Sequence, residues 1–136
     1  MILFDLEGTL TRSLWRQHFA KINQWYDYHK RMIEDRPNYD VIANLDGLKD
    51  NFTIVILTGM EEEWRKLALE WMDLNDIYYD HLYMRPTGDK TTTVDFKRGV
   101  IEGIGPDKFS VAFDDQQRNV DMFIRLGIPA IKVVER

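Results

Sequence analysis

Short apolar runs alternate with helix-length amphipathic stretches along the whole chain, and this alternation restricts the fold more than any other feature. Met1–Phe4 is apolar throughout, as expected of a central strand covered on both faces. FTIVIL (Phe52–Leu57) is rich in β-branched residues and ends at Thr58-Gly59. HLYM (His81–Met84), FSVAF (Phe109–Phe113) and PAIKVV (Pro129–Val134) supply three further strands. Apolar spacing predicts helices over Ser13–Glu34, Tyr39–Asp50, Glu61–Asn75, Thr93–Gly103 and Gln116–Leu126. Arg36-Pro37 ends the first of these, and Gly127 the last. PTGDKTTT, before the fourth helix, reads as a loop. The pattern predicts an α/β fold, a Rossmann-like three-layer sandwich around a mainly parallel five-stranded sheet.

Right-handed crossovers place the C-terminal ends of such strands on one edge, where ligands bind. That geometry gathers polar residues far apart in sequence: Asp5 and Glu7 after the first strand, Thr58 after the second, Asp114 and Asp115 after the fourth. Four carboxyl groups on one rim repel one another unless a cation sits among them, and Mg²⁺ suits oxygen ligands. Lys97 or Lys90 adds positive charge, and Thr58 with the amides beside Gly59 favours an anion such as phosphate. Metal, lysine and backbone donors around one carboxylate suggest phosphoryl transfer. Simpler roles exist: Thr58 as a helix cap, and Asp114 or Asp115 as a cap for the helix near Gln116. His18, His29 and His81 have no metal-ligand spacing and read as surface or packing residues.

The 136 residues suit one domain, taken here as 1–136. With no cysteine, the chain has no disulfide scaffold or thiolate metal site, which fits a reducing cytoplasm. No secretory leader or membrane-length apolar run is evident, and a net charge of −5 opposes bulk attraction to nucleic acid. Residues 11–34 are the exception: Arg12, Arg16, Lys21, Lys30 and Arg31 face only Asp27 and Glu34, among five aromatic rings. Such a stretch can clamp a nucleic-acid strand. The favoured reading packs Trp15, Phe19, Ile22 and Trp25 against the sheet, with the charges solvated and Arg12 or Arg16 near the site entrance.

The order D-x-E-G-T, an apolar strand ending in Thr, Lys, then Asp-Asp resembles the haloacid dehalogenase-like phosphohydrolases, over nearly the whole chain. The resemblance implies that Asp5 is a nucleophile forming an aspartyl-phosphate and that Glu7 is the acid/base, where the family more often has Asp. It implies that Thr58 holds the transferring phosphoryl group. It also implies an Mg²⁺ site from Asp5, Glu7 through its backbone carbonyl, Asp114 and Asp115. MRPTGDKTTTVDFK (Met84–Lys97) resembles the phosphatase half of phage-type polynucleotide kinase/phosphatases through Arg85, Gly88, Asp89 and Lys97. That register makes Lys97 the catalytic lysine, with Lys90 in the preceding loop. Thr58, Gly59, Lys97, Arg85 and Lys90 become the substrate contacts, and Asp89 a residue that positions Lys97 or Arg85. Met60 stands where that branch has Arg, and the spacing leaves no room for a large cap domain.

The expected activity is a Mg²⁺-dependent phosphomonoesterase acting on a nucleotide or polynucleotide 3′-end, without membrane association. The location expected is the cytoplasm, that of a host if the chain is phage-encoded. The alternatives are a phosphatase of another small ester, such as a sugar phosphate, and a non-catalytic binding module. The oligomeric state is left open.

Overall fold

The structure, a computed structural model, describes residues 1–135. Five parallel strands form one sheet: β1 (Ile2–Phe4), β4 (Ile54–Glu61), β5 (His81–Arg85), β6 (Val111–Asp114) and β7 (Ala130–Lys132), in the order β5-β4-β1-β6-β7. β1 lies at the centre, with Phe4 opposite Ile56 on one side and Phe113 on the other. Its wholly apolar sequence follows from that place, because both faces of the strand are covered. Ile2, Phe4, Ile54 and Ile56 face a core completed by Val41 and Leu45 of α3 (Tyr39–Leu48) and Trp71 of α4 (Arg65–Leu74). Leu3, Val55, Leu57 and Ala112 face the opposite core, with Ile101 of α5 (Thr93–Ile104) and Phe123 of α6 (Gln117–Arg125). Successive strand residues thus alternate between the two helix layers, giving the expected three-layer sandwich, with no cap domain among the described residues.

The strand and helix bounds move by a few residues at most ends, and one difference matters for the site. β4 runs on past Leu57 through Thr58 and Gly59 to Glu61, with a register shift against β5 between Thr58 and Glu61. The expected helix at 61–75 therefore begins later, as a short 3₁₀ turn at Glu62–Trp64 leading into α4.

The larger correction concerns residues 13–34, expected to form one helix packed on the sheet. A two-stranded antiparallel pair, β2 (Thr11–Arg12) with β3 (Arg36–Pro37), brackets this segment. Between them lie α1 (Gln17–Lys21) and α2 (Trp25–Lys30), separated by Asn23 at φ 59°. Trp15, Ile22 and Trp25 are 43, 59 and 52% exposed, so the expected sheet-facing stripe does not exist. The reason is Arg16. A continuous helix would set Arg16 and Asp35 about 28 Å apart. Instead the buried guanidinium grips Asp35 at 2.8 and 2.7 Å and the Tyr28 carbonyl at 2.8 Å. Satisfying that buried cation folds the segment back on itself, over the C-terminal edge of the sheet. Among the described residues no helix is long and apolar enough to cross a membrane.

Candidate active site

β1 delivers Asp5 to the sheet edge, where the chain turns sharply through Leu6–Leu10. Gly8 sits in that turn at φ +81°, and a Cβ there would run into the Asp115 carboxylate. The glycine of D-x-E-G-T is thus fixed by both backbone conformation and the close approach of the β6 loop. Asp5 is 6% exposed, and its Oδ1 accepts from Lys97 Nζ at 2.9 Å while Oδ2 accepts from Thr9 Oγ1 at 3.1 Å. Lys97 also donates to Asp114 Oδ2 at 2.7 Å, so α5 places its ammonium between the ends of β1 and β6. The Gln116 amide and Asn119 side chain complete the shell of Asp114.

Asp5, Asp114 and Asp115 can offer carboxylate oxygens within 4.8 Å of one another. One lysine faces three carboxylates, so the cluster is short of positive charge. Burial, then the neighbouring Asp114, push Asp5 well above the ordinary carboxylate range, and Lys97 offsets only part of this. Burial likewise raises Asp115. For Lys97 burial acts downward, but Asp5 and Asp114 outweigh it and the net direction is up, which keeps the ammonium charged. Hard oxygen donors with a charge deficit fit a divalent cation.

Glu7 occupies different surroundings from those three. Its Oε2 lies 2.8 Å from Arg16 Nη2, the same nitrogen that meets Asp35, as an ion pair with no well-directed hydrogen bond. The Glu7 carboxylate is therefore held apart from the acidic triad, over the same cavity of about 370 Å³ that Asp5, Thr58, Lys97 and Asp115 line. Sequence reasoning set Arg12 or Arg16 near the entrance; Arg12 lies outside this cavity, and Asp35, the anchor of Arg16, carries no motif that would have identified it. Arg16→Lys keeps the charge but not the planar fork. We expect it to lower stability by about 1.5–3 kcal/mol through lost charged hydrogen bonds and kcat on the order of 10²-fold through a displaced Glu7. Urea unfolding and initial rates check both.

Thr58 is buried in β4, and its Oγ1 accepts from the Met60 amide at 3.1 Å, tightening the turn beside the cavity. Met60, at the position of the branch's arginine, is 2% exposed and joins the core. Arg85 approaches Gly59 from β5 instead: its guanidinium bonds Thr93 Oγ1 and lies over Phe96. Lys90 is exposed and lies outside this cavity, so the fold gathers Lys97 and not Lys90. Asp89 holds neither Lys97 nor Arg85; its carboxylate accepts from Thr91 N and Oγ1 at 3.0 and 2.9 Å, closing its own loop. Thr92 caps α5 by accepting from the Asp95 amide, as a helix entry should. His29, read as surface or packing, lines the same cavity, and burial lowers its pKa despite Glu7, Glu61 and Glu63.

A parallel sheet carrying an Asp at the end of its central strand, a Thr on the next and a Lys–Asp pair opposite defines a haloacid dehalogenase-like phosphatase. Within that class the chain belongs to the family of polynucleotide kinase PNKP phosphatase domains, whose family model matches residues 1–136. No curated protein matches the chain. A chain of the Pnkp1/Rnl/Hen1 complex superposes with a TM-score of 0.85 at 26% identity, over 98% of this chain and 45% of that one. This chain thus spans less than half of that relative's length. A predicted phosphatase from Clostridium acetobutylicum gives a TM-score of 0.72 at 22% identity, covering 96% and 82% of the two chains. A haloacid dehalogenase family enzyme from Bacteroides thetaiotaomicron, solved with magnesium and inorganic phosphate, gives 0.58 at 14% identity, over 98% and 93%.

Proposed function

We propose that residues 1–136 act as one magnesium-dependent phosphomonoesterase domain that removes a terminal phosphate from nucleic acid, through an aspartyl-phosphate at Asp5. The observation that carries this reading is the Asp5–Lys97–Asp114 chain at 2.9 and 2.7 Å, buried under a cavity that Glu7 and Thr58 also line. Asp5, Asp114 and Asp115 would hold the cation, with the Glu7 backbone carbonyl as a further ligand. Bound there, Mg²⁺ would neutralise phosphate charge and aid the approach of anionic Asp5 to it.

A carboxylate oxygen of Asp5 attacks phosphorus in line with the leaving ester oxygen. The P–O ester bond breaks as Glu7 gives its proton to that oxygen. Glu7, now a carboxylate, takes a proton from water; the resulting hydroxide attacks the aspartyl-phosphate and releases inorganic phosphate and Asp5. Thr58 Oγ donates to a non-bridging oxygen, and Lys97 keeps Asp5 oriented between the two steps. Arg16, fixed by Asp35, keeps Glu7 on the leaving-group side.

The substrate reading draws support from the family match and from the relative found in an RNA repair complex. The test is phosphate release, with and without Mg²⁺, from a 3′-phosphorylated oligonucleotide, nucleoside 3′- and 5′-monophosphates, an aryl phosphate and sugar phosphates. We expect metal-dependent release with the 3′-phosphorylated oligonucleotide preferred. A preference for a sugar phosphate would replace the substrate, and release unaffected by chelation would remove the metal.

A further inference from the structure

A second cavity, of about 590 Å³, opens beside the catalytic one and shares Trp25, His29, Gly59 and Thr93 with it. Its volume lies in the range of small-molecule sites. What distinguishes it is its wall: Tyr26 and Trp64 join Trp25 and His29 there. His29 lies 5.3 Å from Trp64 and 6.2 Å from Trp25 between ring centroids, and Tyr26 lies 5.6 Å from Trp64. These rings come from two places in the chain, α2 and the 3₁₀ turn before α4, brought together by the folded-back segment 13–35. The central ring separations are too short for a planar group to slide between, so a ligand would lie on the open faces. Trp25 and Tyr26 are 52% and 64% exposed, and therefore available.

We propose that this aromatic wall is a stacking platform for the nucleobase of the phosphate-bearing terminal nucleotide, an inference that rests on the nucleic-acid reading above. A platform sharing a wall with the phosphate cavity lies where a group attached to the scissile ester must go. Glu61 and Glu63 line the same cavity and outnumber its one cation, Arg85, whose guanidinium is engaged by Thr93 Oγ1. Their charge disfavours a second phosphate there, whereas carboxylates accept from the amino and imino groups at a base edge. The polymer backbone must then leave the site elsewhere, and the base alone enters the aromatic cavity. Ring stacking tolerates all four bases, so the platform selects a nucleotide end without selecting a sequence.

The experiment compares two oligonucleotides of the same sequence, one ending in an ordinary nucleoside 3′-phosphate and the other in an abasic tetrahydrofuran 3′-phosphate. The kcat/KM ratio between them reads the base contribution alone. For the wild-type protein we expect a ratio between about 5 and 150, the range of one base–aromatic contact. Trp64→Leu, which keeps apolar volume under the wall, should bring the ratio close to 1, and Trp64→Phe should keep most of it. Thermal melting of each variant identifies one that has lost its fold, and Tyr26→Leu, at a more exposed ring, then replaces it. A wild-type ratio near 1, or a ratio untouched by both leucine variants, overturns the platform while hydrolysis of both oligonucleotides leaves the nucleic-acid reading intact. Hydrolysis of an aryl phosphate but of neither oligonucleotide overturns both. Faster hydrolysis of phosphocholine than of either oligonucleotide would reassign the rings and glutamates to a quaternary ammonium group, and would also overturn the proposal.

Discussion

Asp5→Asn should reduce phosphate release by about 10⁴- to 10⁶-fold, the scale seen when a covalent nucleophile is removed, while the protein remains folded. The two expectations belong together. Asn keeps an oxygen to accept from Lys97 or Thr9, so the local hydrogen bonds survive in part. It also removes a carboxylate from a site where burial and Asp114 push the Asp5 pKa up. A carboxyl group with a raised native pKa binds more protons in the folded than in the unfolded state, between its ordinary and raised values. Stability therefore falls as pH rises through that window. Without added metal, the variant should melt at or above the wild-type temperature near neutral pH, and the difference should shrink toward pH 4. Divalent cation should stabilise the wild type more than the variant. Activity within tenfold of wild type would exclude Asp5 as the nucleophile, whatever the melting temperature.

Lys97→Met should have the opposite effect on stability and a comparable effect on rate. The side chains are close in volume, but the ammonium is 1% exposed and bridges two buried carboxylates. Removing one partner of a buried ionic cluster costs about 3–5 kcal/mol, because the remaining charges lose their compensation. Loss of Lys97 also removes the group that most lowers the Asp5 pKa. The destabilisation should thus be greatest at neutral pH and fade on acidification, as Asp5 takes up a proton. Mg²⁺ should restore part of it. Chemical denaturation at pH 5 and pH 7.5, with and without Mg²⁺, checks all three expectations. A loss independent of pH and metal would show that Lys97 serves packing alone.

Both predictions rest on positions legible in the sequence, and the contrast with Arg16 and Lys90 explains why. Asp5, Thr58 and Asp114 are each tied to the end of an apolar strand, and a parallel sheet has few ways to arrange such ends. Lys97 could be chosen over Lys90 by motif register, and the helix geometry agrees: α5 turns Lys97 inward and leaves Lys90 exposed in the loop before it. Nothing of that kind governs residues 13–35. Trp15, Phe19, Ile22 and Trp25 keep helical spacing, yet the segment doubles back, because periodicity carries no information about a cation seeking a carboxylate nineteen positions away.

From the sequence alone came the class of fold and the rim of acids at the strand ends. These follow from short-range patterns: alternation of strands and helices, and polar residues placed just beyond strand ends. The tertiary structure alone decided what stands over that rim. It set Arg16 between Glu7 and Asp35, drew Met60 into the core, brought Arg85 beside Gly59, and turned the aromatic stretch from sheet packing to cavity wall. The physical reason is that burying a charge or filling a core is settled among residues distant in sequence, where the cost of an unpaired buried ion outweighs any local helical preference.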